Sequence, residues 1–395
     1  MRRLTVTPRN DWQSRVERVG LPFHTLSDGT PYWDESAYWE FTAAEIDPLE
    51  AATSEVQRLA IAAGDKILDQ DRLAQMGIPP AAVPAIRAAW NNEPPALYGR
   101  LDLAYDGQSI KLLEYNADTP TGLVEAAVAQ WCWLQDCFPG ADQFNSLHEK
   151  LVVKWKDLKD YVSNPVYFAD SGSEEDRMTV SYLRDTAQQG GLRTRQIAMH
   201  EIGWDGKHSC FVDLEDHPMT TLFKLYPWEW LLSEPFGVNA LATLPPSAPL
   251  QEWGPRKDRR MWGSMLWIEP IWKMLWSNKA LLAILWELNP GHELLLPAYL
   301  DGPRELTSYV RKPILGREGS GIAVIRDGVA VEGVLEGSNA QKYVYQALAP
   351  MANAVGNTAV FGSWLVDGEP AGMGIRESAG PVTNNTSRFV PHLFR

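Results

Sequence analysis

Two short apolar runs, Leu101 to Tyr105 and Ile110 to Tyr115, flank Asp106-Gly107, a strong turn signal, and together they predict a β-hairpin. Its polar positions are Arg100, Asp102, Glu114 and Asn116. Two carboxylates and an amide oxygen are the hard donors that a magnesium ion takes, and a guanidinium suits the phosphates such an ion would hold. Register decides whether they converge. A two-residue turn would set Asp102 opposite Lys111 and send Glu114 and Asn116 to the other face, because strand side chains alternate. A three-residue loop or a single bulge restores parity, with Leu101, Leu103, Leu113 and Tyr115 packing behind. The odd-length connection is the expectation; an ordinary hairpin with a solvated acidic face is the alternative.

The 395-residue chain with 45% hydrophobic content can bury a large core in two or three packed subregions. Its most apolar stretch, Met261 to Trp286, is interrupted by Glu269, Pro270, Lys273 and Lys279, which argues against a membrane span. No apolar segment follows Met1-Arg2-Arg3, so no signal peptide is expected and the reading is cytoplasmic. Cys132, Cys137 and Cys210 fit neither a zinc pattern nor a disulfide framework. A net charge of −14, with no basic run, excludes an extended nucleic-acid surface. Acidity suits a cationic substrate such as a polyamine, and equally a soluble protein with no such partner.

Helical spacing runs from Ile46 to Leu73, Pro80 to Trp90, Leu123 to Phe138 and Gln143 to Val162. From Pro165 strands and helices alternate: Val166 to Ala169, Ser173 to Gln189, Arg193 to Met199, a hairpin across Asp205-Gly206, and Thr220 to Tyr226 running into Pro227-Trp228. The prolines between Leu244 and Pro255 predict a loop. Ile271 to Leu288 reads as an amphipathic helix with Ser277-Asn278-Lys279 inside it or at a break. The remainder is β-rich, with strands at Tyr309 to Ile314, Ile322 to Ile325, Val329 to Val334, Tyr343 to Leu348, Val360 to Val366 and Ala371 to Ile375.

A glycine-rich loop, Gly316-Arg317-Glu318-Gly319-Ser320-Gly321, lies between two of these strands. It lacks the GKS or GKT ending of a P-loop and the strand-to-helix turn of a dinucleotide fold. Its glycines would let backbone amides approach a phosphate while the loop closes as a lid, poorly ordered without nucleotide; a plain tight hairpin fits as well. Lys279 and Lys312 could converge on a polyphosphate, or both be surface lysines. Gln346-Ala347-Leu348 offers a backbone edge for adenine. Arg376, Asn384, Asn385 and Arg388 are further polar groups at strand ends or on the last loop.

These segments in this order resemble the glutathionylspermidine synthase family, in its short, ligase-only bacterial branch of acid–amine ligases. The likeness is carried by Phe23-His24-Thr25, Tyr98 to Ala104, Leu113 to Thr121, Asp142 to Leu147, Phe223 to Glu229, Ser277 to Leu282, Val310 to Gly319, Gly362 to Val366, Ala371 to Glu377 and Ser387 to His392. It implies an α+β ATP-grasp fold over residues 1–395, with a pre-ATP-grasp α/β layer at about 160–235 and a nucleotide-clasping part at about 270–395. In this family the metal ligands precede the lysines, the reverse of the commoner order. The resemblance implies that Asp102, Glu114 and Asn116 hold Mg2+ and that Arg100 stabilises the transition state. Lys279, Lys312 and Gly319, with Glu318 beside them, would hold ATP phosphates, Gln346 to Leu348 the adenine, and Arg376 would join the nucleotide site. The implied reaction forms an amide from a small-molecule or peptide carboxylate and an amine through an acyl phosphate. A non-catalytic or regulatory nucleotide-binding protein, or a phosphotransferase that stops at the acyl phosphate, are the alternatives. No cysteine precedes Cys132, so the amidase activity of the bifunctional members is not expected. Thr119-Pro120-Thr121-Gly122 departs from the small polar residues of glutathione-using members.

Overall fold

The hairpin forms, and a bulge rather than the turn restores its parity. In a computed structural model describing residues 1–244, 264–317, 319–333, 341–384 and 387–395, strands Tyr98–Tyr105 and Ile110–Asn116 pair antiparallel. Tyr105 faces Ile110 across an even connection, Asp106 to Ser109, fixed by the Asp106 carboxylate accepting from the amides of Gln108 and Ser109 at 2.9 and 2.8 Å. A one-residue shift between Asp102 and Leu103 then sets Asp102 opposite Glu114 and Arg100 opposite Asn116. Leu113 therefore does not pack behind the sheet as expected. As the extra residue of the bulge it lines a cleft, and Leu112 takes the core position instead. Glu318, Val334, Asn385 and all but the first residue of the expected loop from Leu244 to Pro255 lie outside the described residues.

The hairpin extends a sheet through Asn357–Val366, Glu369–Ser378 and Arg388–Val390. Alternation gives this sheet two different faces. Leu101, Leu103, Tyr115, Phe361 and Leu365 face the long helix Ala43–Asp69, whose buried stripe runs through Ile46, Leu49, Val56, Leu59, Ala63 and Ile67. A capping box starts that helix, the Glu45 carboxylate accepting from the Thr42 amide at 2.9 Å. Near its end Gly64 admits the Trp90 ring, since a Cβ there would lie 2.1 Å from Cη2. Gly64→Ala gains about 1 kcal/mol of helix propensity, yet overpacking at about 1–3 kcal/mol outweighs it. The urea midpoint is expected to fall; an unchanged or higher midpoint refutes the packing argument.

On the other face, Tyr98 stacks on Trp364 with centroids 6.0 Å apart and an interplanar angle of 3°, beneath helices Gln130–Cys137 and Leu147–Asp157. The first of these is preceded by a π-helical turn, Glu125–Ala129. The second starts four residues later than expected, because Asp142 and Asn145 bridge the edges of other strands, at Phe394 and Gly372. Past Trp364 no helix of the described residues covers the hairpin, and Asp102 and Glu114 line the cleft.

Two further sheets close on that uncovered end. One is wholly parallel, in the order Leu266–Ile268, Thr221–Leu225, Val166–Asp170, Thr194–Ala198, with helix Glu174–Gln189 crossing between the last two. The other is antiparallel, in the order Ala298–Tyr299, Tyr343–Ala347, Tyr309–Pro313, Ala323–Arg326, Val329–Glu332. Between them the apolar run divides into a 3-10 turn, Ile271–Leu275, and helix Ala280–Leu288, with Ser277, Asn278 and Lys279 at the break, the second of the two placements expected for them. A small sheet of Arg2–Thr5, Ala37–Phe41 and His392–Phe394, not read from the sequence, joins the two ends of the chain. The fold is a mixed α/β architecture with several sheets.

Candidate active site

Asp102 sits between two guanidinium groups. Arg100 donates a fork to it, Nε to Oδ1 at 2.6 Å and Nη2 to Oδ2 at 3.1 Å, and Arg376 donates to Oδ2 at 3.0 Å from the neighbouring strand pair. Arg100 also donates to the Thr121 carbonyl and lies 5.7 Å over the Trp364 ring. Across the hairpin, Glu114 accepts from the Asn116 amide at 2.9 Å and from Lys279 at 3.0 Å.

The two lysines reach this cluster from elements far apart in sequence, and neither is a surface lysine: Lys279 is 8% exposed and Lys312 6%. Lys279 is aimed by its neighbours. Ser277 Oγ accepts the amides of Ala117 and Asp118 at 3.1 and 2.7 Å, the Asn278 amide donates to Met76 O, and the Lys279 backbone N–H donates to Ile314 O at 2.8 Å. Its ammonium donates to Gly316 O at 2.7 Å, at the start of the glycine-rich loop. Lys312 donates to the Leu113 carbonyl at 2.9 Å, an oxygen turned outward by the bulge, and to Gln346 Oε1 at 2.7 Å.

Electrostatics follow from this enclosure. Burial alone would raise the Glu114 carboxyl, but Lys279 and Lys312 outweigh it and hold the group well below the usual carboxylate range. Burial pushes Lys312 down to about 8, with Glu114 opposing and Lys279 adding repulsion. Burial would also lower Arg100, yet Asp102 holds it above its ordinary value. The four cations Arg100, Arg376, Lys279 and Lys312 face two carboxylates, leaving an excess of two positive charges where a polyanion could sit.

The cleft has two adjoining chambers. The first is apolar at one end, with Val310, Ile322, Leu348, Met351 and Val360, and ends on Asp102, Glu114 and the lysines. Gln346 turns its side chain to Lys312 and to Leu112 O, and the Ala347 amide donates to Pro297 O at 2.8 Å. Leu348, past the strand's end, is thus the better placed part of the expected adenine edge. Gly319 packs on Thr383 with φ +75°, and a Cβ there would lie 2.8 Å from the Thr383 carbonyl.

The second chamber, about 450 Å³, was not foreseen from the sequence. Glu114, Lys279, Gly319 and Thr383 line both chambers. Its far wall is Ser173, Glu174, Glu175 and Asp176, at the carboxyl ends of the parallel strands, where open α/β sheets bind ligands. Burial raises the Asp176 carboxyl, and burial with Asp118 beside it raises Glu229. Arg317 crosses the chamber, donating to Thr119 Oγ1 at 2.7 Å and lying 5.5 Å over Trp230. Also missed was the buried pair of Asp118 and Lys224, 2.8 Å apart. Both residues lie in segments that carry the family likeness, 113–121 and 223–229, and only the fold reveals that these segments meet. Among the described residues no helix is long and apolar enough to cross a membrane.

Residues 3–395 match the family described as glutathionylspermidine synthase preATP-grasp. A Haemophilus influenzae protein named "Putative acid--amine ligase" is 38% identical, with 100% of each chain covered. Trypanothione synthetase of Crithidia fasciculata is 28% identical over 82% of this chain and 51% of its own length. The bifunctional glutathionylspermidine synthetase/amidase of Escherichia coli is 28% identical over 91% of this chain and 59% of its own. The chain thus spans between half and three-fifths of these two longer relatives, and the whole of the first. With its matched length and its ordered site segments, the chain belongs to the glutathionylspermidine synthase preATP-grasp family.

Proposed function

We propose that the cleft activates a carboxylate with ATP and joins it to an amine, through an acyl phosphate, in an ATP-grasp catalytic region. As a member of a family of named ligases, the chain is an ATP-dependent carbon–nitrogen ligase. The observation that carries the finer reading is the shared wall. Glu114 and Lys279 belong both to the apolar-ended chamber that suits a nucleotide and to the polar chamber that suits its reaction partners.

Adenine would lie against Val310, Ile322 and Leu348, at Gln346 to Leu348, within a nucleotide-clasping part spanning about 270–395. Lys279, Lys312 and the Gly319 backbone would hold the phosphates, with Glu318 beside them, and Arg376 would hold the strand-side charge. The two-charge excess matches a nucleotide tetra-anion carrying one divalent cation. Asp102, Glu114 and Asn116 fit magnesium because they are all-oxygen donors on one face in register, and Mg2+ bound there would neutralise charge on the transferring phosphate. In this structure those oxygens carry Arg100, Arg376 and Lys279, so the same side chains can turn to phosphate when it arrives. Arg100, anchored to Thr121 at the chamber mouth, is the group to meet charge that grows as the substrate carboxylate attacks the γ-phosphate.

Departure of ADP leaves an acyl phosphate at the boundary of the chambers. An amine attacking its carbonyl carbon expels phosphate and forms the amide; the ammonium proton must be lost first. The acidic wall Glu174, Glu175 and Asp176, in the α/β layer at about 160–235, suits a small amine or polyamine in a cytoplasmic setting. The test is a panel of acids and amines with ATP and Mg2+, following ADP and product mass. Amine-dependent product with matching ADP is expected; absence of Mg-nucleotide binding, or ADP release without any amide, overturns the reading.

Protonated Lys312 is the phosphate-binding form, and burial brings its value down to about 8. Affinity for MgADP is therefore expected to be level from pH 6.5 to 7.5 and to weaken as pH rises through about 8. The break should vanish in Lys312→Arg, whose guanidinium stays charged. Calorimetric titration across pH checks this, and equal affinity at pH 7 and 9 in the unmodified protein contradicts it.

A further inference from the structure

We propose that the reverse face of the catalytic hairpin carries a second, separate site for a small organic cation, an alkylammonium ligand bound on an aromatic wall and coupled through the hairpin to the cleft. A cavity of about 370 Å³ lies between the hairpin, helix Ala43–Asp69, helix Val83–Asn92 and the turn Ile271–Leu275, and shares no lining residue with either chamber of the cleft. Its size falls at the small end of the range for small-molecule sites.

Aromatic rings form one wall. Trp272 and Trp276 have centroids 4.6 Å apart, Trp90 stands edge-on to both at 5.5 and 5.9 Å, and Tyr115 stacks on Trp276 at 5.3 Å. The polar edges of three of these rings are already engaged. Trp90 Nε1 donates to Asp65 at 3.0 Å, Trp276 Nε1 to Ala60 O at 3.0 Å, and the Tyr115 hydroxyl to Gln57 at 2.7 Å. The wall therefore offers π surface rather than hydrogen-bond donors.

The charge around that surface is negative. Asp65 and Glu93 are exposed and have no cationic partner among the described residues. Lys273 also lines the cavity; its ammonium lies 5.4 Å from the Trp272 centroid and is held by Glu269 at 3.0 Å and by the carbonyls of Tyr98 and Ala117 at 2.8 and 3.2 Å, so Trp90, Trp276 and Tyr115 supply the π surface left for a ligand. Asp367 pairs with Lys154. An aromatic wall with uncompensated carboxylates at its rim selects a cation with an apolar body, and disfavours an anion or a neutral polar ligand.

Position supplies the coupling. Gly99 and Tyr115 look into this cavity, while Arg100, Glu114 and Asn116, their immediate neighbours, look into the cleft. Trp276 directly precedes Ser277, which holds the amides of Ala117 and Asp118, and Lys279 follows two residues later. A ligand that shifts Tyr115 or Trp276 acts on the same short segments that carry the phosphate-facing groups, and by linkage a nucleotide acts back on the ligand.

The probe is choline, with 3,3-dimethylbutan-1-ol as its neutral isostere. Choline has no N–H and cannot serve as the attacking amine, so this test stands apart from the ligase reading. In calorimetric titrations of the nucleotide-free protein, choline is expected to bind at one site and the isostere about tenfold more weakly. Asp65→Asn/Glu93→Gln, a pair of exposed isosteric changes that keeps the Trp90 acceptor, should weaken choline about tenfold. Glu175→Gln, in the cleft, should leave it unchanged. Saturating choline should shift the Kd of MgADP at least about twofold. Absence of choline binding, an isostere that binds equally well, or unchanged affinity in the double variant overturns the proposal. So does loss of binding in Glu175→Gln, or a MgADP Kd that choline does not move.

Discussion

Asp102→Asn is expected to lower ADP formation at saturating ATP and acid by about 100-fold or more, with a chain that still folds. Asp102 is 3% exposed and accepts three hydrogen bonds from two guanidinium groups, Arg100 and Arg376. A carboxylate can accept them all; an amide presents one oxygen and turns its NH2 toward a cation. The change therefore strikes twice. It removes a charged oxygen from the proposed magnesium set, and it frees Arg100 from the fork that holds it at the chamber mouth. The magnesium concentration giving half-maximal rate should rise with the fall in rate, a shift that simple loss of folded protein does not produce. Glu114→Gln is the companion variant, because the Glu114 side chain is 22% exposed and its replacement strains the fold less. It should show the same rise in magnesium requirement. Wild-type turnover in Asp102→Asn at unchanged magnesium demand sinks the assignment of this hairpin as the centre of the chemistry.

What the sequence made legible was local. The hairpin, its polar set and the need for a parity-restoring device follow from period-two alternation over a few residues, so they could be read without the fold. Where the device sits could not, because a loop and a bulge satisfy the same parity, and the bulge takes Leu113 out of the core. The break at Ser277-Asn278-Lys279 was visible as polar residues in an apolar run, but its purpose lies in the hydrogen bonds from Ser277 to Ala117 and Asp118, some 160 positions away. The sheet joining Arg2–Thr5 to His392–Phe394 escaped for the same reason: its strands are too short to carry a pattern, and their partners lie at opposite ends of the chain. The polar chamber is assembled from strand ends and loops, where side chains of any type can serve, so Glu174 to Asp176 read as an ordinary acidic start to a helix. Family resemblance named residues at the site, but the geometry supplies what each touches.

Asp118→Ala is expected to cost about 3–5 kcal/mol of stability. Lys224 has no exposed side-chain surface. Its ammonium reaches Asp118 at 2.8 Å and Tyr226 O at 2.9 Å, and lies 4.7 Å over the Trp228 ring. Asp118 in turn accepts the Trp228 amide at 2.9 Å, so one carboxylate closes the segment after the hairpin onto the parallel sheet. Burial holds Lys224 below its ordinary value, and Asp118 is the main force opposing that shift. Without it, the lysine in the folded chain gives up its proton more readily still, while the unfolded chain keeps the ordinary affinity. The unfolded state then binds more protons at and above neutral pH, so the variant's stability should rise with pH toward the ordinary lysine value, more steeply than the parent's. Urea midpoints at pH 7 and pH 9.5 measure both effects. Asp118→Leu/Lys224→Met, which removes both charges, should regain most of the loss. A single variant that loses less than about 1 kcal/mol, or a double variant no better than the single, would mean that this pair behaves as a solvated one. Thr119 and Thr121 lie one and three positions after Asp118 and anchor Arg317 and Arg100, so the same contact that holds the core together also sets where two of the chamber's cations point.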